Sequence, residues 1–181
     1  SIQDLNEELQ FTAYHDYLTG LSNKQKLKKD FKELLEATNT QKNKKFGIIM
    51  LDIDNMKLIN DSEGHRAGDE VICRAAAILK RFQKQNIQCY HFGGDEFILI
   101  LDNIPRHNIE RIATRIREAA HNLEPETDEH PRLSASIGIA LYPAHGRDYQ
   151  ELLHNADQAL YHVKEKGRDG WSLAYYDQKS I

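Results

Sequence analysis

Four consecutive residues, Gly93-Gly94-Asp95-Glu96, stand between the apolar runs "QCYHF" and "FILIL". The two runs read as an antiparallel hairpin, yet a tight hairpin turn needs only one or two turn residues. Two adjacent carboxylates at its tip repel each other, so the turn is expected to face something cationic. The plain alternative is a solvated tip that happens to be acidic. The glycines carry no side chains, which lets a ligand approach the backbone closely. A second acidic pair, Asp52 and Asp54, closes the apolar run "FGIIMLDID". Side chains two apart on a strand share a face, so both acids emerge together where the strand ends, the usual ligand position in α/β sheets. A calcium loop also begins Asp-x-Asp, but Met56 and Lys57 stand where it needs an oxygen ligand and a glycine. Asp54 reads as a cap for the following turn, and Asp52, ending a buried strand, as the functional member.

If the hairpin lies beside that strand, Asp95 comes within reach of Asp52. Clustered carboxylates raise one another's pKa and need a counter-charge. Magnesium bound jointly with a nucleoside triphosphate is the usual solution. Lys57, Lys164 and Arg168 could supply positive charge to a triphosphate. Lys164 precedes Arg168 by one helical turn, so both could point at one phosphate group. On spacing alone, they read as helix-end cations answering the macrodipole.

These groups need a scaffold. "SIQDLNEELQFTAYHD" has helical spacing, with Ile2, Leu5, Leu9 and Thr12 as an a/d seam. A break at "LTGLSN" leads to a helix in "KQKLKKDFKELLEA", with Leu27, Phe31, Leu34 and Leu35 on one face, then a lysine-rich surface loop. "FGIIMLDID" has the continuous apolar character of a strand buried on both faces. Helices follow in "GDEVICRAAAILKRF" and, after the hairpin, in "NIERIATRIREAAHNL". The charged "EPETDEHP" reads as a loop, "LSASIGIALYP" as a strand, "YQELLHNADQALYHVKEKG" as a long helix and "WSLAYY" as an edge strand. Strands and helices alternate around one hairpin with no internal repeat. The expectation is a single α/β domain with a central mixed sheet, helices on its faces and a helical stub in front. The boundaries are 1–15 for the stub, 16–177 for the domain and 178–181 for a tail.

The chain has 181 residues, enough for one domain with a real core. Its net charge of -4 argues against a general nucleic-acid binder but not against a nucleotide held through metal ions. No apolar run is long enough to cross a bilayer, and no signal peptide is expected. Two cysteines without metal-ligand spacing, Cys73 and Cys89, fit a reducing compartment. The expected location is therefore cytoplasmic, with any membrane anchor in segments upstream of Ser1.

"DYLTGLSNK", "LDIDNMKLINDSEGHRAGD", the intact pentapeptide Gly93-Gly94-Asp95-Glu96-Phe97, "SASIGIALYP" and "NADQALYHVKEKGRDG" occur in this order. Together they resemble the blocks of the GGDEF domain, the catalytic module of bacterial diguanylate cyclases, and cover nearly everything from Asp16 to Gly170. The resemblance implies a polymerase-palm-like, mainly antiparallel sheet. It also implies condensation of two GTP molecules into cyclic di-GMP with release of pyrophosphate. By that likeness two magnesium ions per site, or manganese in their place, would be held by Asp52, Asp95 and the Ile53 carbonyl, with Glu96 in support. Asp95 would also be the base for the attacking 3′-hydroxyl. Asn60 and Asp69 would hydrogen-bond guanine and His65 would line its pocket. Gly93 and Gly94 would let GTP approach, and Lys57, Lys164 and Arg168 would hold phosphates.

The chain departs from the family's usual pattern in several places. Lys24 replaces the arginine that closes the "LTGLxN" block, His91 replaces an arginine two places before the first glycine, and Met56 replaces a phenylalanine. "KQNI", Lys84 to Ile87, stands where many relatives carry an Arg-x-x-Asp product-binding motif. No departure touches an implied metal ligand, so an active cyclase is the expected function. The alternatives are a GTP-binding regulatory module without turnover and, by fold analogy, a palm-type enzyme for another nucleotide. Two GTP molecules on two domains require a homodimer, expected to be weak in this fragment and set by an upstream sensor domain through the opening helix. The competing expectation is that this helix folds back onto the domain.

Overall fold

Phe46–Ile53 is buried along its whole length and forms β1, the central strand of the sheet. Its alternate side chains serve two cores. Ile49, Leu51 and Ile53 join one cluster, while Phe46, Ile48 and Met50 join the other. This is why the sequence shows a continuous apolar run rather than an alternating one. The computed structural model describes residues 1–123 and 133–175. In chain order the remaining elements are α1 (Ile2–Tyr14), α2 (Lys24–Ala37), α3 (Met56–Glu63), α4 (His65–Lys80), β2 (Ile87–Gly93), β3 (Glu96–Asp102), α5 (Arg106–His121), β4 (Ala135–Tyr142), α6 (Tyr149–Glu165) and β5 (Gly170–Leu173).

The strand order is β2-β3-β1-β4-β5. All neighbours are antiparallel except β4 and β5, which are parallel, so the sheet is mixed and mainly antiparallel as expected. The apolar faces of α3, α4 and α5 cover one side of it through Ile59, Ile72, Leu79, Ile109 and Ile116. Those of α2 and α6 cover the other through Leu27, Phe31, Leu152 and Leu160. Each such side chain taken fully out of water contributes roughly 2 kcal/mol, and the two layers fix the sheet from both sides.

Three differences from the sequence-based expectation concern boundaries. The helix α3 was not anticipated: it has only eight residues and starts from Asn55, which sits at φ 61° with no side-chain cap. The helix α4 begins at His65 rather than Gly68, and β5 begins at Gly170. The expected loop at 124–131, residue 176 of the last strand, the domain end at 177 and the tail at 178–181 lie outside the described residues.

The opening helix does not fold back. No residue of α1 is buried, and Ile2, Leu5 and Leu9 are all more than half exposed. Its base is nevertheless anchored. Asn23 donates to the carbonyls of Ala13 through its amide and of Tyr14 through its backbone, and its side-chain oxygen caps α2 at Lys26.

Candidate active site

The register of the sheet builds the acidic centre. Asp52, the penultimate residue of β1, lies opposite Glu96 of β3 on one side and Ser136 of β4 on the other. The tip of the β2–β3 hairpin is tied down by the Ile53 N–H, which donates to the Asp95 carbonyl at 3.1 Å. A register shift between His91 and Gly93 bulges the strand, and Gly94 takes φ 54°. A side chain is strained in that conformation, and nothing lies within 4 Å of where a Cβ at Gly93 or Gly94 would sit. The glycines thus serve both the turn and open space in front of it.

Asp52 is only 6% exposed, and its Oδ2 is paired with the Lys164 ammonium of α6. Its Oδ1 is buried with no hydrogen-bond partner among the described residues. Burial, followed by the neighbouring Asp95 carboxylate, pushes the Asp52 carboxyl up to about 7, with Lys164 opposing the rise. Burial also raises Glu96, helped by Asp157 and Asp95 and opposed by Lys164 and Lys24. Burial works against the Lys164 ammonium, yet Asp52, Asp95 and Glu96 together hold it above its usual range. A buried carboxylate oxygen without a donor, beside a second carboxylate, is a hard-oxygen donor set that fits a divalent cation. No group of three or more potential metal-ligating side chains is assembled among the described residues.

The other candidate residues fall into a second group at the α3–α4 corner. Asn60 is half-buried against Gly68, where a Cβ would overlap its Oδ1. Lys57, His65 and Asp69 are exposed on the same two helices. The corner follows directly from the end of β1 through Asp54 and Asn55. Arg168 is exposed and lies beyond the end of α6, at φ 66° after Gly167. It therefore does not share a helical face with Lys164, because the helix ends at Glu165 and the chain turns left-handed. A cavity of about 1090 Å³ lies at the opposite end of the sheet, lined by Phe46, Ile104, Arg106 and Tyr142, and contains none of these residues.

Asp54 does not cap the turn that follows it. Its two oxygens accept from the hydroxyls of Ser134 (2.7 Å) and Ser136 (2.6 Å) and from the Asp169 N–H (3.1 Å). Asp169 is itself gripped by Arg117 of α5 through both carboxylate oxygens. The clasp fixes the segment carrying Arg168 against the ends of β1 and β4. Sequence reasoning missed this clasp, and also Asp157, which stands seven residues before Lys164 on α6. The Ser-x-Ser alternation entering β4 and the i, i+7 spacing on α6 were the available signals. Lys24 lies over the Phe92 ring at 4.6 Å, beside the signature turn.

The fold and the acids at one end of its sheet are those of a palm-type α/β domain. Residues 13–170 match the family described as diguanylate cyclase, GGDEF domain, and the chain belongs to that family. It is 36% identical over 169 residues to a diguanylate cyclase of Vibrio cholerae, covering 93% of this chain and 52% of that protein. It is 32% identical over 171 residues to the bifunctional diguanylate cyclase/cyclic di-GMP phosphodiesterase MucR of Pseudomonas aeruginosa, covering 94% of this chain and 25% of that protein. Among solved structures, the GGDEF domain of TpbB (YfiN) from Pseudomonas aeruginosa superposes with a TM-score of 0.82 at 31% identity, over 90% of this chain and 95% of that one. The chain thus spans between a quarter and about half the length of these two full-length relatives. No helix among the described residues is long and apolar enough to cross a membrane.

Proposed function

We propose that this domain is an active diguanylate cyclase, joining two GTP molecules into cyclic di-GMP and releasing two pyrophosphates. The observation that carries the reading is the buried Asp52, with one oxygen unpartnered and its carboxyl raised by burial and by Asp95 of the signature turn. Asp52, Asp95 and the Ile53 carbonyl would hold magnesium, or manganese, with Glu96 in support. When bound, the metal supplies Lewis acidity to the phosphate oxygens.

Asp95 accepts the proton of the attacking 3′-hydroxyl. The freed oxygen bonds to the α-phosphorus of the facing GTP, the bond to the bridging oxygen breaks, and pyrophosphate leaves with that electron pair. A second, symmetric step closes the ring. Lys164, already drawn to the acids, steadies the charge that builds on the phosphates. Lys57 and Arg168, exposed and without an ion pair among the described residues, are free to turn to the phosphates. Gly93 and Gly94 leave the turn's backbone open to the triphosphate, while Asn60 and Asp69 read guanine beside His65.

Each domain holds one GTP, so the working unit is a homodimer, with the exposed face of α1 as the pairing surface. In the whole protein, an upstream sensor domain sets that pairing.

The test is Asp95→Asn with GTP and magnesium, products read by mass spectrometry. Loss of a negative charge beside buried Asp52 should leave the metal-free fold as stable or slightly more so. Cyclic di-GMP formation should fall by about a thousandfold. Product at near wild-type rate from this variant removes Asp95 from the role. An intact wild-type domain that binds GTP and makes no product leaves a regulatory module.

A further inference from the structure

The loop after α1 and the turn bearing the acids meet at one side chain. His91 of β2 is 8% exposed, and both its ring nitrogens face oxygen. Its Nδ1 lies 2.9 Å from Asp16 Oδ2 and its Nε2 lies 2.8 Å from the Gly94 carbonyl. A carbonyl oxygen only accepts, so Nε2 carries a proton. Asp16 Oδ2 also accepts from the Thr19 N–H at 2.8 Å and the Thr19 hydroxyl at 2.7 Å. That hydroxyl also accepts from the Leu21 N–H at 3.2 Å, while its one proton goes to Asp16. Burial pushes the Asp16 carboxyl up, but the Thr19 bonds and His91 outweigh it and hold the carboxyl below its usual value of 3.8. An ionised carboxylate only accepts, so Nδ1 carries a proton as well.

From this geometry we infer that His91 is a doubly protonated clamp, a positioning residue that holds the Gly94 end of the signature turn against the Asp16–Thr19 loop. The inference deepens the cyclase reading and rests on it for its effect on turnover. The clamp has a firm backing: the His91 N–H donates to the Ser22 carbonyl at 2.9 Å, and Ser22 bridges Tyr90. The loop it holds is continuous with the base of α1 through Asn23.

Asp16 is the anion in contact with the ring. On β3, Phe97 stacks obliquely with its centroid at 5.0 Å, and Glu96 pairs with Gly93. From α2, Lys24 lies over Phe92, and Asp30 is engaged by Lys26 and the Tyr90 hydroxyl. From α4, Lys80 donates to the Thr19 carbonyl at 2.6 Å, and Cys73 donates to the Leu18 carbonyl.

The consequence depends on pH. A neutral imidazole has one bare nitrogen, whose lone pair would face an oxygen at under 3 Å, so one of the two contacts opens. The clamp is complete only while both ring nitrogens carry a proton to donate, one to Asp16 and one to the Gly94 carbonyl. At the acid end it is lost again when Asp16 takes up a proton, below its usual 3.8. An arginine, the residue common in relatives at this position, would stay charged throughout.

The test compares wild type, His91→Arg and His91→Gln, measuring kcat and KM for GTP from about pH 6 to about pH 9, across the range where imidazolium loses its proton. Wild-type kcat should decline on the alkaline side relative to His91→Arg, which should stay flat there. His91→Gln, which can donate to only one of the two oxygens, should lose about tenfold in kcat with little change in KM, as a misplaced turn would. Independently of activity, ¹⁵N spectra of the nucleotide-free wild-type domain at about pH 6 should show protons on both ring nitrogens of His91. One bare nitrogen in those spectra, or the same alkaline decline in His91→Arg, overturns the clamp. Two protons together with no product from GTP would instead sink the cyclase reading and leave the clamp standing.

Discussion

Lys164 of α6 and Asp52 of β1 are 112 residues apart in sequence and form one ion pair at the floor of the acidic centre. Around them stand Asp95 and Glu96, so the Lys164 ammonium feels three carboxylates in the metal-free domain, with Lys24 adding its charge at Glu96. The role of Lys164 in the absence of metal is thus partly structural, and on the proposed reading it turns to the phosphates when GTP binds.

Lys164→Met keeps the stem and deletes the charge. The domain should still fold, because the apolar part of α6 is held through Leu152, Ala156 and Leu160. Cyclic di-GMP formation should drop by about a hundredfold, the scale of losing one preorganised charge partner in a phosphoryl-transfer site. A kcat/KM within about twofold of wild type would take Lys164 out of the site.

Base choice should depend on a residue with no side chain to offer the nucleotide. Gly68 leaves room for Asn60, whose Oδ1 a Cβ there would strike. Guanine offers N1–H and an amino group that adenine lacks, and a site built on such bonds discriminates by a factor of about 10⁴. We expect wild type to prefer GTP over ATP strongly. Gly68→Ala should raise KM for GTP and narrow that preference while leaving Asp52, Asp95 and Lys164 undisturbed. An unchanged GTP/ATP ratio in a folded Gly68→Ala variant would show that Asn60 does not read the base.

The acids were legible in the sequence for a physical reason. A period of two places Asp52 on the face of Met50 and Ile48, and an apolar hairpin can only display its acids at the tip. Laying the hairpin beside β1 predicts Asp95 within reach of Asp52; the register sets Glu96 opposite Asp52, and Asp95 acts on its carboxyl from the adjoining turn. What spacing could not give was tertiary. Asp54 looked like a local cap, yet its partners are Ser134, Ser136 and Asp169, at least 80 residues away. Lys164 and Arg168 looked like one helical face until the left-handed residues after Glu165 separated them. The helix α3 escaped because it is short, Asn55 starts it from a left-handed conformation without a side-chain cap bond, and Gly64 joins it directly to α4.

Feedback by the product should be weak at the position where many relatives carry an arginine and an acid. In "KQNI" the backbones of Lys84 and Ile87 exchange two hydrogen bonds, at 3.0 and 3.1 Å. The Ile87 side chain is 1% exposed and belongs to the core, so it can present nothing to a ligand. Lys84 is exposed but cannot fork onto guanine and phosphate as an arginine does. Titration with cyclic di-GMP should give no micromolar inhibition that disappears in Lys84→Ala. Such inhibition, lost in that variant, would contradict the expectation.

The exposed seam on α1 should control turnover through pairing. Ile2 is 81% exposed, Leu5 56% and Leu9 59%, and with Thr12 they step along one side of a helix that buries none of its residues. A capping box at Ser1 and Asp4 starts the helix, and Phe11 stacks on His15 at its foot, so its ends are locally satisfied without a partner. About two heptads are nevertheless too short to dimerise firmly alone, since helices shorter than about 12–15 residues are marginal in water. The chain should therefore be mostly monomeric at micromolar concentration, with specific activity rising as protein concentration rises. A leucine zipper fused in register before Ile2 should raise activity further, because it extends the a/d stripe and sets two domains facing each other. The same zipper shifted by two residues turns the stripe by more than half a helical turn and should lose most of the gain. Specific activity that stays flat on dilution, and is indifferent to the zipper's register, would rule out α1 as the control element.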